Sequence, residues 1–129
     1  MEFDDKVPIY LQIKQVIYHE MVTGKLKPGD QLPAVRQLAL DLTVNVNTVQ
    51  RALGTMIEEG FLVSQRGRGN FVTEDQQKIA TLKQQLVQDQ LATIYRELHA
   101  LNLSDDEIIT SVQQYVQQRG KQNDSHLND

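Results

Sequence analysis

The sequence predicts a mainly α fold with one small β-hairpin. Three observations predict it. Apolar residues recur at threes and fours along most of the 129 residues, the spacing of one helix face. Two short helical patterns are separated by Thr43-Val44-Asn45-Val46, a stretch of poor helix formers. Directly after the second pattern come two runs of strand character, FLVSQ and NFVT, split by RGRG.

Each element follows from its residues. Met1 to Lys6 form a short polar arm. Pro8 suits a first helical turn, where its missing N–H would be unpaired anyway. Ile9, Ile13, Val16, Ile17 and Met21 give that helix its apolar face, and Gly24 ends it. KLKPGDQLP holds two prolines and reads as a connector. A short second helix spans Ala34 to Leu42, with Val35, Leu38, Ala39 and Leu42 on one side. A third runs from about Asn47 to Glu59 on the stripe Val49, Ala52, Leu53, Met56 and Ile57, and stops at Gly60. Two helices joined by a tight turn and followed at once by a hairpin make a winged helix-turn-helix, predicted over residues 1–73.

From about Asp75 the pattern is purely helical. Ile79, Leu82, Leu86, Leu91, Ile94, Leu98 and Leu101 mark a helix of roughly 25 residues. Ser104 and Glu107 then form a capping box, with Leu103 placed to staple to Ile108. The last helix carries Ile108, Val112, Tyr115 and Val116 and is expected to stop near Gly120. Residues 74–120 are thus predicted to be a helical dimerisation tail, and the polar residues 121–129 to be disordered.

Composition narrows the function. Without cysteine there is no disulfide, zinc finger or thiol chemistry, and His19, His99 and His126 are too scattered for a metal site. No apolar run approaches the roughly 20 residues of a membrane span, and the start lacks a leader pattern. The expectation is a soluble, cytoplasmic protein with no membrane partner, no metal and no cofactor. The net charge of −4 is unevenly spread: residues 1–73 carry eight basic and eight acidic groups, and residues 74–129 five and nine. The neutral first half, with Arg66 and Arg68 in a stretch free of acids, is compatible with nucleic acid.

GKLKPGDQLPAVRQLA, NVNTVQRAL, EEGFLVSQ and RGRGNFV follow one another in this order. From Pro8 to Val72 the chain resembles the DNA-binding domain of the GntR family of transcription regulators. The second half resembles the two-helix tail of the YtrA-type subfamily. That resemblance implies a repressor that dimerises through its tail, binds palindromic double-stranded operator DNA and often controls a nearby transporter operon. Four departures stand out: Thr43 where the family commonly has Gly, Ala34 where Ser is common, Leu53 where an aromatic is common, and Val46 where Pro or a polar residue is frequent. A positive backbone angle at Thr43 would be costly.

Candidate contacts can be weighed residue by residue. Asn45, Asn47, Thr48 and Gln50 sit at the start of the third helix, where they would reach base edges or phosphates in a major groove. Helix capping is the plain alternative for the asparagines and the threonine, and both roles can hold at once. Val46 is placed to touch a thymine methyl. Arg36 matches the family's DNA-contacting arginine on the second helix, and Arg51 follows Gln50; a solvated or internally paired arginine is the competing reading for each. Arg66, Gly67 and Arg68 form the wing tip, where arginine suits a narrow minor groove, or else an ordinary exposed turn.

The long tail helix admits two readings, a core against the winged domain or an interface with a second copy. The homodimer is favoured because one projecting helix cannot hide both of its apolar margins. No nucleophile with its base, carboxylate pair or metal cluster supports an enzyme, since Asp105, Asp106 and Glu107 are explained as helix-start residues. A protein-interaction module built on the winged fold is the other alternative. No ligand pocket can be located in the pattern, which leaves a small-molecule effector open.

Overall fold

The computed structural model describes residues 3–127, with side chains as far as Lys121. Its elements are α1 (Ile9–Val22), α2 (Val35–Leu42), α3 (Val46–Glu58), β1 (Leu62–Gln65), β2 (Gly69–Val72), α4 (Gln76–His99) and α5 (Asp105–Leu127). Compactness divides the chain into Met1–Gln84 and Gln85–Asp129, so the division falls inside α4, later than the change of composition after Thr73.

In the first unit α3 is the central element. It packs against α1, α2 and β1. Ile13, Ile17 and Met21 of α1, Ala39 of α2, Val49, Ala52, Leu53 and Met56 of α3, and Leu62 and Val72 of the hairpin are buried together. The helical ones are among the positions that the helical spacing marks as apolar, although Ile9, marked with them, is 44% exposed. One polar group joins them: Lys14 Nζ lies 2.8 Å from Glu59 Oε1, and the Tyr18 hydroxyl donates to that same oxygen at 2.8 Å. Burial pushes the Glu59 carboxyl up, but the hydrogen bonds from Lys14 and Tyr18 and the charges of Lys14 and Lys78 outweigh it and hold the carboxyl below its usual range.

The turn between α2 and α3 shows why its residues matter. Thr43 adopts φ 57° and ψ 51°, the left-handed region. Its N–H donates to Leu40 O at 3.2 Å, and Val44 N–H donates to Ala39 O at 3.0 Å. This pair of bonds is a Schellman motif, which needs a left-handed residue at that point. Glycine takes that conformation freely; a β-branched threonine does so only under strain. Gly60 closes α3 by the same pattern, with Phe61 N–H donating to Met56 O.

The hairpin pairs antiparallel, from Leu62 opposite Val72 to Gln65 opposite Gly69. The stretch read as a plain connector adds to it. Gly29 N–H donates to Val72 O, Val72 N–H to Asp30 O and Leu32 N–H to Asn70 O, and Gln31 bridges Phe71. β2 therefore has a partner on each side.

In the second unit α4 ends at a left-handed Asn102 with φ 67°, a conformation asparagine tolerates. The predicted capping box is present: Ser104 N–H donates to Glu107 Oε1 at 3.0 Å and Glu107 N–H to Ser104 Oγ at 3.2 Å. Tyr95 donates its hydroxyl proton to Asp105 Oδ1 at 3.0 Å, which ties α4 to the start of α5. The expected stop near Gly120 is corrected, because α5 continues through it to Leu127. Gly120 keeps a helical backbone rather than a left-handed one, and a single interior glycine costs only about 1 kcal/mol. Of the tail expected to be disordered, residues 121–127 are thus helical, and 128–129 lie outside the described residues.

Candidate nucleic-acid interface

α3 begins at Val46, with Asn45 as its N-cap: the Asn45 side-chain oxygen accepts from Asn47 N–H at 2.7 Å. Capping is therefore one role of Asn45. The side chains of Asn47 and Gln50 are exposed on the first turns of α3, Thr48 is half-buried, and Val46 is 36% exposed. Arg36 is exposed on the first turn of α2.

The arginines differ in how they are held. Among the described residues no salt bridge or side-chain hydrogen bond engages Arg36 or Arg66. Arg68 is restrained, its guanidinium donating to Gln65 Oε1 at 2.9 Å and lying over the Phe71 ring. The Arg51 guanidinium lies over the Tyr10 ring, 3.9 Å from its centroid. Gly67, at φ 77°, turns the wing tip with nothing packed against its Cα. Gln31, Ala34, Val35, Arg66, Gly67 and Arg68 are among the residues lining one groove, so the wing tip and the start of α2 come together.

Gln31 and Tyr10 carry no signal in the sequence pattern. Gln31 Nε2 donates to the Arg68 carbonyl at 2.6 Å, across 37 positions of sequence, and fixes the wing tip from the connector. No short-range spacing could reveal that bond. Tyr10 looks like one more amphipathic-helix residue until α1 is laid against α3.

The expected dimerisation residues separate into three groups. Leu82 and Ile108 are only 8% exposed in the single chain. Ile79, Leu86 and Leu98 are half-buried. Leu91, Ile94, Leu101, Val112 and Tyr115 stand exposed, together with Val87, Ile109 and Val116. Among the described residues there is no metal-holding cluster, and no helix is long and apolar enough to cross a membrane.

The family model described as "Bacterial regulatory proteins, gntR family" matches residues 9–72. YhcF of Bacillus subtilis, an uncharacterized HTH-type transcriptional regulator, is 33% identical over 90% of this chain and 96% of its own length. The chain belongs to the GntR family. Within it, the HTH-type transcriptional repressor YtrA of Bacillus subtilis is 39% identical over 63% of this chain and 67% of its own. A GntR regulator from Listeria monocytogenes superposes with a TM-score of 0.80 at 37% identity, covering 87% of this chain and 98% of that one. The AraR DNA-binding domain, solved in complex with operator ORX1, superposes with a TM-score of 0.51 at 28% identity over 57% of this chain and 89% of that one. This GntR chain is accordingly a DNA-binding regulator of transcription, not an enzyme, and its fold is the winged helix-turn-helix with a helical tail.

Proposed function

We propose that the chain is a repressor that binds palindromic operator DNA as a homodimer, with residues 1–73 reading the DNA and the tail from residue 74 joining the two copies. The observation that carries the DNA contact is the polar start of α3, exposed at Asn47 and Gln50, together with the unpaired cations Arg36 at the start of α2 and Arg66 at the wing tip, two segments that line one groove. Unpaired arginines keep their full charge for phosphates, and amide side chains suit adenine edges. Val46 and the cap Asn45 complete the face that enters the major groove, and Arg66, Gly67 and Arg68 meet the minor groove.

The dimer is supported by the uncovered stripe Leu91, Ile94, Leu101, Val112 and Tyr115. Apolar area on this scale gains most from a second copy, and two-fold symmetry presents two recognition helices to an inverted repeat. The resemblance to YtrA-type regulators extends the proposal to control of a nearby transporter operon.

Selection of duplexes from a randomised pool tests the reading. The expected outcome is enrichment of an inverted repeat whose half-sites sit on one face of the helix. Gln50→Ala should relax preference at one or two base pairs per half-site, by about 1–3 kcal/mol for a bidentate contact. Enrichment of a single unrepeated site, or none, would overturn the palindromic dimer.

A further inference from the structure

Arg51 follows Gln50 on α3 yet is held differently from every other arginine of the first unit. Its Cζ lies 3.9 Å from the centroid of the Tyr10 ring. The other cation-over-ring pairs, at Lys14, Arg68 and Lys78, measure 5.8, 5.4 and 5.0 Å. At 3.9 Å the guanidinium carbon is in van der Waals contact with the face of the ring. An aromatic ring holds the cation without offering it an oxygen acceptor, so N–H groups of the guanidinium stay available for one. No salt bridge or side-chain hydrogen bond engages them among the described residues.

Tyr10 is well placed to hold a cation still. It is half-buried in the first turn of α1, and α1 is anchored to α3 through Ile13, Ile17, Val49 and Met56. A flexible arginine fixed in advance loses less freedom when it meets an anion. Adjacent residues of a helix point about 100° apart, so an Arg51 fixed against α1 is turned away from the direction in which Gln50 projects. An arginine turned from the base edges but fully charged and pre-oriented serves the backbone.

We infer that Tyr10 is a positioning residue that holds the Arg51 guanidinium over its ring so that free N–H groups meet one backbone phosphate beside each half-site. This rests on the operator-binding reading above. The contact strengthens every site alike and carries no base preference.

The test uses the full chain and the duplex that the parent protein selects from a randomised pool, titrated at several salt concentrations. Arg51→Ala should lower the slope of log affinity against log salt by about one unit per protomer and leave base preferences unchanged. Tyr10→Leu should weaken binding by roughly two- to fivefold per protomer, and that effect should vanish in the Arg51→Ala background. Tyr10→Phe, which keeps the ring, should match the parent. Equal weakening by Tyr10→Leu in both backgrounds would mean a purely structural tyrosine and overturn the inference. So would an unchanged salt slope in Arg51→Ala, an exposed substitution that leaves the core untouched. A parent that selects no duplex at all fails one step earlier, at the operator-binding reading itself.

Discussion

In the unit that ends at Gln84 the apolar faces are under cover: Ile13, Ile17, Val49, Met56, Leu62 and Val72 are buried by one another. In the unit from Gln85 onward, Leu91, Ile94, Leu101, Val112 and Tyr115 follow an equally regular helical spacing and stand in solvent, and Ile108 alone among its described residues is buried. The same periodicity therefore has two meanings. Where three helices and a hairpin converge, the stripe becomes core. Where only two long helices meet at a turn, it stays exposed to solvent.

The sharpest way to break this comparison is to separate the units. A chain cut after Gln84 should remain folded, be monomeric by sedimentation, and bind a two-half-site operator at least roughly a hundredfold more weakly than the parent, while its affinity for one half-site is unchanged. A cut after Thr73 should give a less stable fragment, because it also removes the buried Leu82 and the Lys78 that lies over Phe61. A dimeric 1–84 fragment would show that the exposed stripe is not the interface.

Within the first unit the next effect separates free from restrained cations. Arg36→Ala and Arg66→Ala should each reduce the salt slope of binding by about one unit per protomer. Arg68→Ala should change it less, because that guanidinium is already engaged by Gln65 and Phe71. Equal losses at all three positions, measured by titration at several ionic strengths, would erase the distinction.

Acid sharpens the comparison of cores. Because the Glu59 carboxyl is held below its usual range in the folded chain, its stabilisation is full above the unfolded value of about 4.3 and is lost as the pH falls through the lowered folded value. Thermal melts of the parent should drop more steeply below about pH 4.3 than those of Glu59→Gln, whose amide does not titrate there. Parallel melting curves for the two would dismiss the Lys14–Glu59–Tyr18 group as a source of acid lability.

The smallest effect concerns the left-handed turn. Thr43→Gly removes the side-chain strain at φ 57° but adds backbone freedom to the unfolded chain. The balance should be stabilising by about 1 kcal/mol in urea denaturation. A destabilised variant would mean that the threonine side chain makes a compensating contribution.

Much of this was legible because its causes are local. Helix faces, the Ser104–Glu107 capping box and the Gly60 stop depend on residues within a few positions of each other, and all are present. The exposure of Asn47, Gln50, Arg36 and Arg66 also follows from position on an amphipathic helix or hairpin tip. What sequence could not reveal depends on distant packing: the seat of Arg51 over the Tyr10 ring and the bond from Gln31 to the Arg68 carbonyl. Gly120 misled for a different reason, since glycine permits a helix to end without requiring it.

The backbone bonds that Gly29 to Leu32 make with β2 change how the wing must come into being. A hairpin closed by a tight turn is a local object that can form and fray alone, within microseconds. Here its second strand is also laced to residues that precede α2, and Gln31 grips the carbonyl at its tip. That contact spans the intervening α2 and α3, so the chain entropy of a long loop stands between the hairpin and its final form unless those helices are in place. The wing is therefore expected to melt with the helices rather than before them. In a hydrogen-exchange experiment the amides of Leu32 and Val72 would open together with the core of α3, as members of one cooperative folding unit.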